Sequence, residues 1–227
     1  MHRIQFNIRH DDIEEFIILL QYLNSIEPHK EYKFPSTDLV KKLEITTTHQ
    51  KCLRAQFILM LYNLIESTVV ENMLHVFDAI SDEGLYYHEL SEQIKDEWLN
   101  SLIPQDGTKK TYWNKTKEIL SKIDSEIIFP TEIKRFNGNV DLKKIIEVYG
   151  AIGIQFGKIP NSKEIAEILL KIKSVRNDLA HGNKSYSQVG SSVTMTELIN
   201  YKVKTVTFLK FFIEKIEAFI TSKSYHK

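Results

Sequence analysis

The sequence predicts an all-α protein that folds as an antiparallel helical bundle. Apolar residues recur at spacings of three and four along most of the chain, which is the spacing of the buried face of a helix. Only eight glycines and five prolines occur among the 227 residues, and they lie mainly between the periodic segments. No internal repeat has the period of a solenoid, so we expect helices packed around a common core.

The composition is that of an ordinary globular protein. Apolar residues make up 42% of the chain and charged residues 26%, which excludes collagen-like, low-complexity and mainly disordered classes. We expect residues 1–227 to form a single domain with a less regular insertion at about residues 124–160. A domain of this size buries enough surface to fold without disulfides.

Several features predict a cytoplasmic protein. Cys52 is the sole cysteine, so the chain cannot form an internal disulfide, and a reducing compartment is expected. The longest apolar runs, such as residues 57–62, are much shorter than the roughly 18 to 20 residues that span a bilayer. The first residues lack the apolar core of a signal peptide.

The formal charge is zero, but it is distributed unevenly. Residues 1–160 contain 19 basic and 24 acidic side chains, whereas residues 161–227 contain 11 basic and 6 acidic ones. A C-terminal third with a charge of +5 is compatible with an anionic partner such as RNA. The same lysines could equally lie on solvated helix faces.

The first half of the chain contains two predicted helices, separated by a break. Asp11 and Glu14 have the spacing of a capping box, which predicts a helix over about residues 11–26. Pro28 and Pro35 then interrupt the chain. Residues 46–80 contain neither glycine nor proline and predict one long helix, which ends within residues 81–84.

The middle of the chain is less regular. We expect helices at about residues 88–102 and 110–123, separated by a turn at residues 104–107 (PQDG). Residues 127–160 contain Pro130 and four glycines and show no sustained period. We expect a connecting region with a short helix near residues 142–149 and a small strand pair.

Two strongly periodic helices are predicted after Pro160. Asn161 and Glu164 form a capping-box pattern before the first of them, and Gly182 is the expected stop. Thr194 and Glu197 begin the second, which extends to about residue 222. The two expected apolar seams comprise Ile165, Ile168, Ile172, Val175 and Leu179 in the first helix, and Leu198, Tyr201, Thr205, Leu209, Phe212, Ile216 and Phe219 in the second.

Residues 176–183 (RNDLAHGN) form the densest polar cluster of the sequence. The guanidinium of Arg176 has a planar fork that matches phosphate oxygens, and the imidazole of His181 can transfer a proton near neutral pH. Cleavage of RNA by its own 2′-hydroxyl needs a base that deprotonates this hydroxyl and a cation that stabilises the charge on the pentacoordinate phosphorus. The pair is also compatible with a plain helix end that carries a C-terminal histidine.

The arrangement of Arg176, Asn177 and His181 resembles the hallmark of the HEPN superfamily, an arginine and a histidine separated by four to six residues of which the first is polar. The chain is more specifically similar to the MAE-like branch of stand-alone bacterial HEPN proteins. The similar segments are residues 3–9 (RIQFNIR), residues 62–67 (YNLIES) and residues 176–190 with the helix after them.

The resemblance implies a HEPN-like helical bundle, with additional helices and an irregular insertion before the motif helix. It also implies a homodimer that acts as a metal-independent endoribonuclease, with Arg176 and His181 as catalytic residues and 2′,3′-cyclic phosphate ends as products. The implied setting is a toxin-like or phage-defence system, in which a cognate antitoxin or another defence protein could be a partner.

Two polar residues of the long helix are further candidates for contact with RNA or for orienting the active site. Glu66 lies at the edge of an apolar face, where it could instead form an ordinary ion pair along the helix. Asn63 lies on an adjacent face and has the same two interpretations.

Three residues around the motif are candidates as well. Asp178 precedes His181 by three residues and could hold its imidazole, although solvated helix polarity explains it too. Lys184 could bind phosphate and Tyr186 could stack on a base, with plain loop positions as the alternative.

No cofactor is expected from the sequence. The eight histidines and the single cysteine have no spacing typical of a zinc site, and neither a complete P-loop nor a glycine-rich dinucleotide loop is present. Two functions remain open: a ribonuclease that uses Arg176 and His181, or a non-catalytic binding and assembly module of a defence or restriction system.

Overall fold

The computed structural model describes residues 2–26, 31–33, 42–102, 109–129, 131, 136 and 138–227. Within these ranges the protein has eight α-helices, one 3-10 helix and one pair of short strands, so the predicted all-α class is confirmed. The elements are α1 (His2–Ser25), β1 (Glu31–Lys33), β2 (Lys42–Glu44), α2 (Thr47–Asp82), the 3-10 helix (Tyr87–Glu89), α3 (Glu92–Leu102), α4 (Lys109–Lys122), α5 (Leu142–Ala151), α6 (Ser162–Ala180), α7 (Tyr186–Ser191) and α8 (Met195–Thr221).

Helix α1 begins nine residues before its predicted start. Phe6 is buried on the same face as Ile13 and Ile17, so the apolar stripe extends toward the N-terminus. Asp11 and Glu14 therefore lie inside the helix and form no N-terminal box there. Glu14 instead accepts a hydrogen bond from the Lys202 ammonium at 2.6 Å, which joins α1 to α8.

The small strand pair does not lie where we expected it. Strands β1 and β2 pair antiparallel within the connection between α1 and α2, with Tyr32 opposite Leu43. The described part of residues 127–160 contains no strand pair. Its short helix is confirmed as α5, whose N-terminus is capped by Asp141 through the Lys144 N–H at 2.9 Å.

Helix α2 matches the predicted long helix, with 36 residues. It is the one helix of the described ranges that is long and apolar enough to cross a membrane by length and composition. Of its most apolar 18-residue window, 56% is buried inside the protein. A core helix of a folded domain has the same properties, so this finding is weak as an indication of a membrane.

The predicted helix at residues 88–102 begins too early. A 3-10 turn comes first, in which the Tyr86 N–H donates to the Glu89 carboxylate at 2.8 Å, and α3 starts only after Ser91. Helix α4 agrees with its prediction. Pro28, Pro35 and the expected turn at residues 104–107 lie outside the described residues.

Helix α6 has its predicted length but not its predicted cap. Asn161 has a φ of 52°, whereas an N-cap residue is extended, so it does not form the expected box. Glu164 instead binds the Lys204 ammonium at 2.6 Å and so links α6 to α8. The box at the start of α8 is confirmed, since the Thr194 N–H donates to the Glu197 carboxylate at 2.8 Å.

The chain divides into two compact units. The first comprises residues 3–65 and 163–207, and the second comprises residues 66–162 and 208–227. Helices α2 and α8 contribute residues to both units. The motif residues Arg176 and His181 belong to the first.

The core of the first unit is built from α1, the first part of α2, α6 and the first part of α8. Its completely buried side chains include Phe57, Leu61, Ile172 and Leu198, of which Ile172 and Leu198 belong to the two predicted apolar seams. In the predicted seam of α6, Ile165, Ile168 and Ile172 are buried, whereas Val175 and Leu179 near its end are partly exposed.

The core of the second unit centres on Tyr149. Its hydroxyl donates to the Val69 carbonyl at 2.5 Å, and its ring meets the Phe212 ring edge-on at 4.9 Å between centroids. Burial raises the pKa of the Tyr149 hydroxyl well above its usual range, so this group remains a donor.

The C-terminal residues are fixed to the end of α2 by one carboxylate. Glu83 accepts hydrogen bonds from the Lys223 ammonium at 2.5 Å and from the Tyr225 hydroxyl at 2.6 Å, and His226 lies 3.0 Å away. These bonds, above all those from Lys223 and Tyr225, lower the pKa of Glu83 to about 2. The carboxylate is therefore charged throughout the ordinary pH range and keeps the C-terminus attached there.

Candidate functional site

A glycine-terminated turn fixes the backbone at the end of α6. The His181 N–H donates to the Asn177 carbonyl at 3.0 Å, so the helical hydrogen bonding continues as far as His181. Gly182 follows with a φ of 70°, and the Asn183 N–H closes the turn on the Asp178 carbonyl at 2.8 Å. This is a Schellman motif, and it confirms Gly182 as the stop of the helix.

The guanidinium of Arg176 is held in place by two neighbours. Its Cζ lies 5.2 Å from the centroid of the Tyr62 ring, and its Nη1 donates to the Asn177 side-chain oxygen at 3.1 Å. Tyr62 is completely buried in α2, so the ring is a rigid support for the cation. No carboxylate of the described ranges pairs with Arg176, which leaves most of its donors open to an anion.

His181 is exposed at the last position of the α6 hydrogen-bond pattern. Its imidazole forms no hydrogen bond or ion pair with any residue that the structure describes. Asp178 therefore does not orient it here, contrary to one of the two interpretations of that carboxylate. The ring is accessible to a ligand or to a second protein molecule.

Asp178 and Lys184 form a pair across the turn. The Lys184 ammonium lies 2.7 Å from the Asp178 carboxylate, and this bond lowers the pKa of Asp178. The lysine has a partner in the free protein, so it could contact phosphate only after leaving Asp178. Both side chains are close to solvent, and the pair is easily exchanged.

A short helix that the sequence analysis did not predict follows the turn. Ser185 caps α7 by accepting from the Gln188 N–H at 3.3 Å, and the Gln188 side chain accepts from the Ser185 N–H at 2.8 Å. The pattern Ser-x-x-Gln could have revealed this capping box. Tyr186, expected in a loop, is the first residue of α7 and is 42% exposed.

Gly190 brings α7 against the backbone of α2. A Cβ atom at this position would overlap the Lys51 carbonyl group, so the close approach requires glycine. Just beyond α7, the Val193 carbonyl accepts a hydrogen bond from Arg54 Nη1 at 3.4 Å. Together these contacts hold the segment after the motif on the first half of α2.

The two polar candidates of α2 lie in different units. Asn63 is exposed in the first unit, one residue after the tyrosine that supports Arg176. Glu66 belongs to the second unit, where its carboxylate accepts from the Gly138 N–H at 3.0 Å. This bond attaches the irregular segment before α5 to α2 and gives Glu66 a structural role.

The structure thus brings together Arg176, Asn177 and Tyr62 as one group and Asp178 with Lys184 as another. Sequence reasoning missed Tyr62 as a partner of the motif arginine. Among the residues that the structure describes, no group of three or more His, Cys, Asp or Glu side chains could hold a metal ion. Chemically, the end of α6 offers an oriented cation and an accessible imidazole.

A family model described as MAE_28990-like HEPN matches residues 5–225. The chain belongs to this HEPN family. The match includes most of α1, the long helix α2, the Arg176–His181 segment and α8, and it extends over residues of both units. Neither the curated proteins nor the solved structures contain a significant match to the chain.

Membership of the HEPN family indicates a function that is related to RNA or to nucleotide binding, and HEPN proteins are often ribonucleases. Both kinds of ligand carry phosphate. A guanidinium matches phosphate oxygens, and the guanidinium of Arg176 has no carboxylate partner in the part of the chain that the structure describes.

Proposed function

We propose that this HEPN protein is a metal-independent endoribonuclease in which Arg176 binds the scissile phosphate and His181 transfers protons. One observation carries the proposal: the end of α6 presents a guanidinium that is supported on Tyr62 and has no carboxylate partner among the described residues, followed by an accessible imidazole.

The proposed reaction is a transesterification. An imidazole removes the proton of the 2′-hydroxyl, the 2′-oxygen attacks the adjacent phosphorus, and the bond from phosphorus to the 5′-oxygen breaks. The leaving oxygen takes up a proton from a second acid group, so the products are a 2′,3′-cyclic phosphate and a 5′-hydroxyl. The guanidinium of Arg176 stabilises the negative charge that develops on the phosphorane oxygens.

We further propose that two copies of the chain form the active site together. Each residue of a helix advances about 100°, so five residues place Arg176 and His181 roughly 140° apart around α6. The bond from the His181 N–H to the Asn177 carbonyl keeps the backbone helical up to that point. Two α6 ends at a two-fold axis would supply two imidazoles, one as base and one as acid.

The proposed setting is a toxin-like or phage-defence system, in which a partner protein restrains the activity. Exposure of His181 is consistent with this, because a partner that covers the end of α6 would block access to both functional groups.

Purified protein is expected to cleave single-stranded RNA in excess EDTA and to leave cyclic phosphate ends. The reason is that the proposed base and the proposed cation are both protein side chains. Gel analysis of end-labelled RNA, with and without phosphatase treatment of the products, measures both properties. Loss of all cleavage in EDTA with full recovery in magnesium would contradict the mechanism, and stable RNA binding without any cleavage would favour a binding module.

A further inference from the structure

Helix α4 has an exposed tryptophan in a strongly basic segment. The Trp113 side chain is 62% exposed, whereas the other tryptophan, Trp98, is only 1% exposed. Tryptophan is highly buried on average, so a largely exposed ring is unusual. The family match does not assign a role to this helix.

The charge of α4 is almost entirely positive. Its sequence contains five lysines and one glutamate, a net charge of +4 over 14 residues. The glutamate is Glu118, which lies 2.6 Å from the Lys115 ammonium and 2.8 Å from the Lys122 ammonium. Bonds from these two lysines lower the pKa of Glu118 to about 2, so the carboxylate is ionised. It is paired with Lys115 and Lys122 and not with Lys117.

Lys117 and Trp113 are adjacent on one face. The Lys117 ammonium lies 5.5 Å from the centroid of the Trp113 ring, one turn away along the helix. Leu120, a further turn along the same face, is 63% exposed. The face therefore combines a flat aromatic ring, a cation beside it and an apolar side chain.

We infer that α4 is a binding surface for single-stranded RNA, with a base stacked on Trp113 and an adjacent phosphate bound by Lys117. Surfaces that bind single strands combine positive charge with exposed aromatic rings in this way. A duplex already stacks its bases and cannot offer one to the ring. The inference deepens the proposed function, on which it rests, by giving the enzyme a substrate contact outside the Arg176–His181 motif.

A lipid surface fits the same helix less well. Helices that lie on membranes present a continuous apolar face, whereas the described side chains of α4 include only two strongly exposed large apolar groups, Trp113 and Leu120. One exposed ring beside one cation instead suits a single base and its adjacent phosphate.

The experiment uses the His181→Ala protein, so that the probe stays intact, and a 12-nucleotide oligo(U). Because Trp98 is buried, quenching of tryptophan emission reports on Trp113. We expect oligo(U) to quench the emission, with an affinity that falls as salt rises. Measured by anisotropy of a labelled oligo(U), Trp113→Ala is expected to weaken binding roughly 5- to 150-fold. Lys117→Gln is expected to reduce the slope of log affinity against log salt by about 0.7.

The matched control is Asn114→Ala, which alters a neighbouring exposed position of α4 and should leave oligo(U) affinity unchanged. Thermal melting of each variant checks that the fold is retained. Unchanged affinity in Trp113→Ala would overturn the inference. So would a blue shift of the emission with phosphatidylserine vesicles but no response to oligo(U), because that result indicates a membrane surface.

Failure of this inference can be distinguished from failure of the proposed function. If the wild-type protein cleaves RNA while Trp113→Ala binds and cleaves equally well, the ribonuclease remains and the role of α4 is wrong. If oligo(U) quenches Trp113 but the wild-type protein cleaves no RNA, the binding surface remains and the catalytic proposal is wrong.

Discussion

Replacing His181 by alanine is expected to lower the rate of RNA cleavage by about 10²- to 10⁴-fold, the range that general acid–base groups contribute. The imidazole is exposed and forms no bond within the described part of the chain, so thermal stability should hardly change. Single-turnover cleavage and thermal melting of the same samples measure the two effects. His88→Ala is the matched control, since it removes another exposed histidine that lies outside the motif.

Arg176 provides an independent measurement of the same site. Arg176→Lys keeps the charge but loses the planar fork, so cleavage should fall strongly even though a cation remains. Arg176→Ala also removes the contact with Tyr62 and should cost about 1 kcal/mol of stability. Near wild-type cleavage by His181→Ala would contradict the catalytic role of His181. A large drop in the melting temperature of His181→Ala, with a parallel loss of activity, would indicate a structural role for the motif.

Gly190→Ala is expected to destabilise the first unit strongly. The added methyl group would overlap the Lys51 backbone, which cannot move aside as a flexible side chain can, so α7 must shift away from α2. Forced repacking of this kind costs about 3 kcal/mol. For a chain of this length that corresponds to a decrease in melting temperature of roughly 6 to 12 °C.

Ser191→Ala is the control for Gly190→Ala, because it changes an exposed residue of the same short helix. Its only described side-chain bond is to the Ser187 carbonyl within that helix. Differential scanning calorimetry of both variants makes the comparison. Equal melting temperatures for Gly190→Ala and the wild type would show that α7 does not pack closely on α2 in solution.

The sequence predicts the long helices well because their apolar periodicity persists over many turns. Helices α2, α6 and α8 each bury a face that repeats through most of their length, so burial and local preference indicate the same structure. The start of α1 was predicted wrongly because the Asp11 and Glu14 pattern is equally compatible with the inside of a helix. Burial of Phe6 decides between the two, and burial depends on tertiary packing.

Only part of the site can be predicted from the sequence. The Arg176 and His181 spacing is visible, and the stop at Gly182 follows from glycine's tolerance of a positive φ. The support of Arg176 by Tyr62 is not visible, because it joins positions more than 100 residues apart. The close approach at Gly190 is hidden for the same reason, since nothing local distinguishes it from an ordinary helical glycine.

The central claim is that Arg176 and His181 of two copies act together on RNA, and subunit exchange tests it most directly. Arg176→Ala and His181→Ala proteins are mixed, exchange is verified by mass spectrometry of differently tagged chains, and cleavage is measured in EDTA. The account predicts that the mixture recovers part of the wild-type activity that both parents lack, because each heterodimer keeps one intact arginine and one intact histidine. Recovery is incomplete because the second imidazole is missing. A mixture that contains heterodimers but stays as inactive as its parents would contradict the shared site.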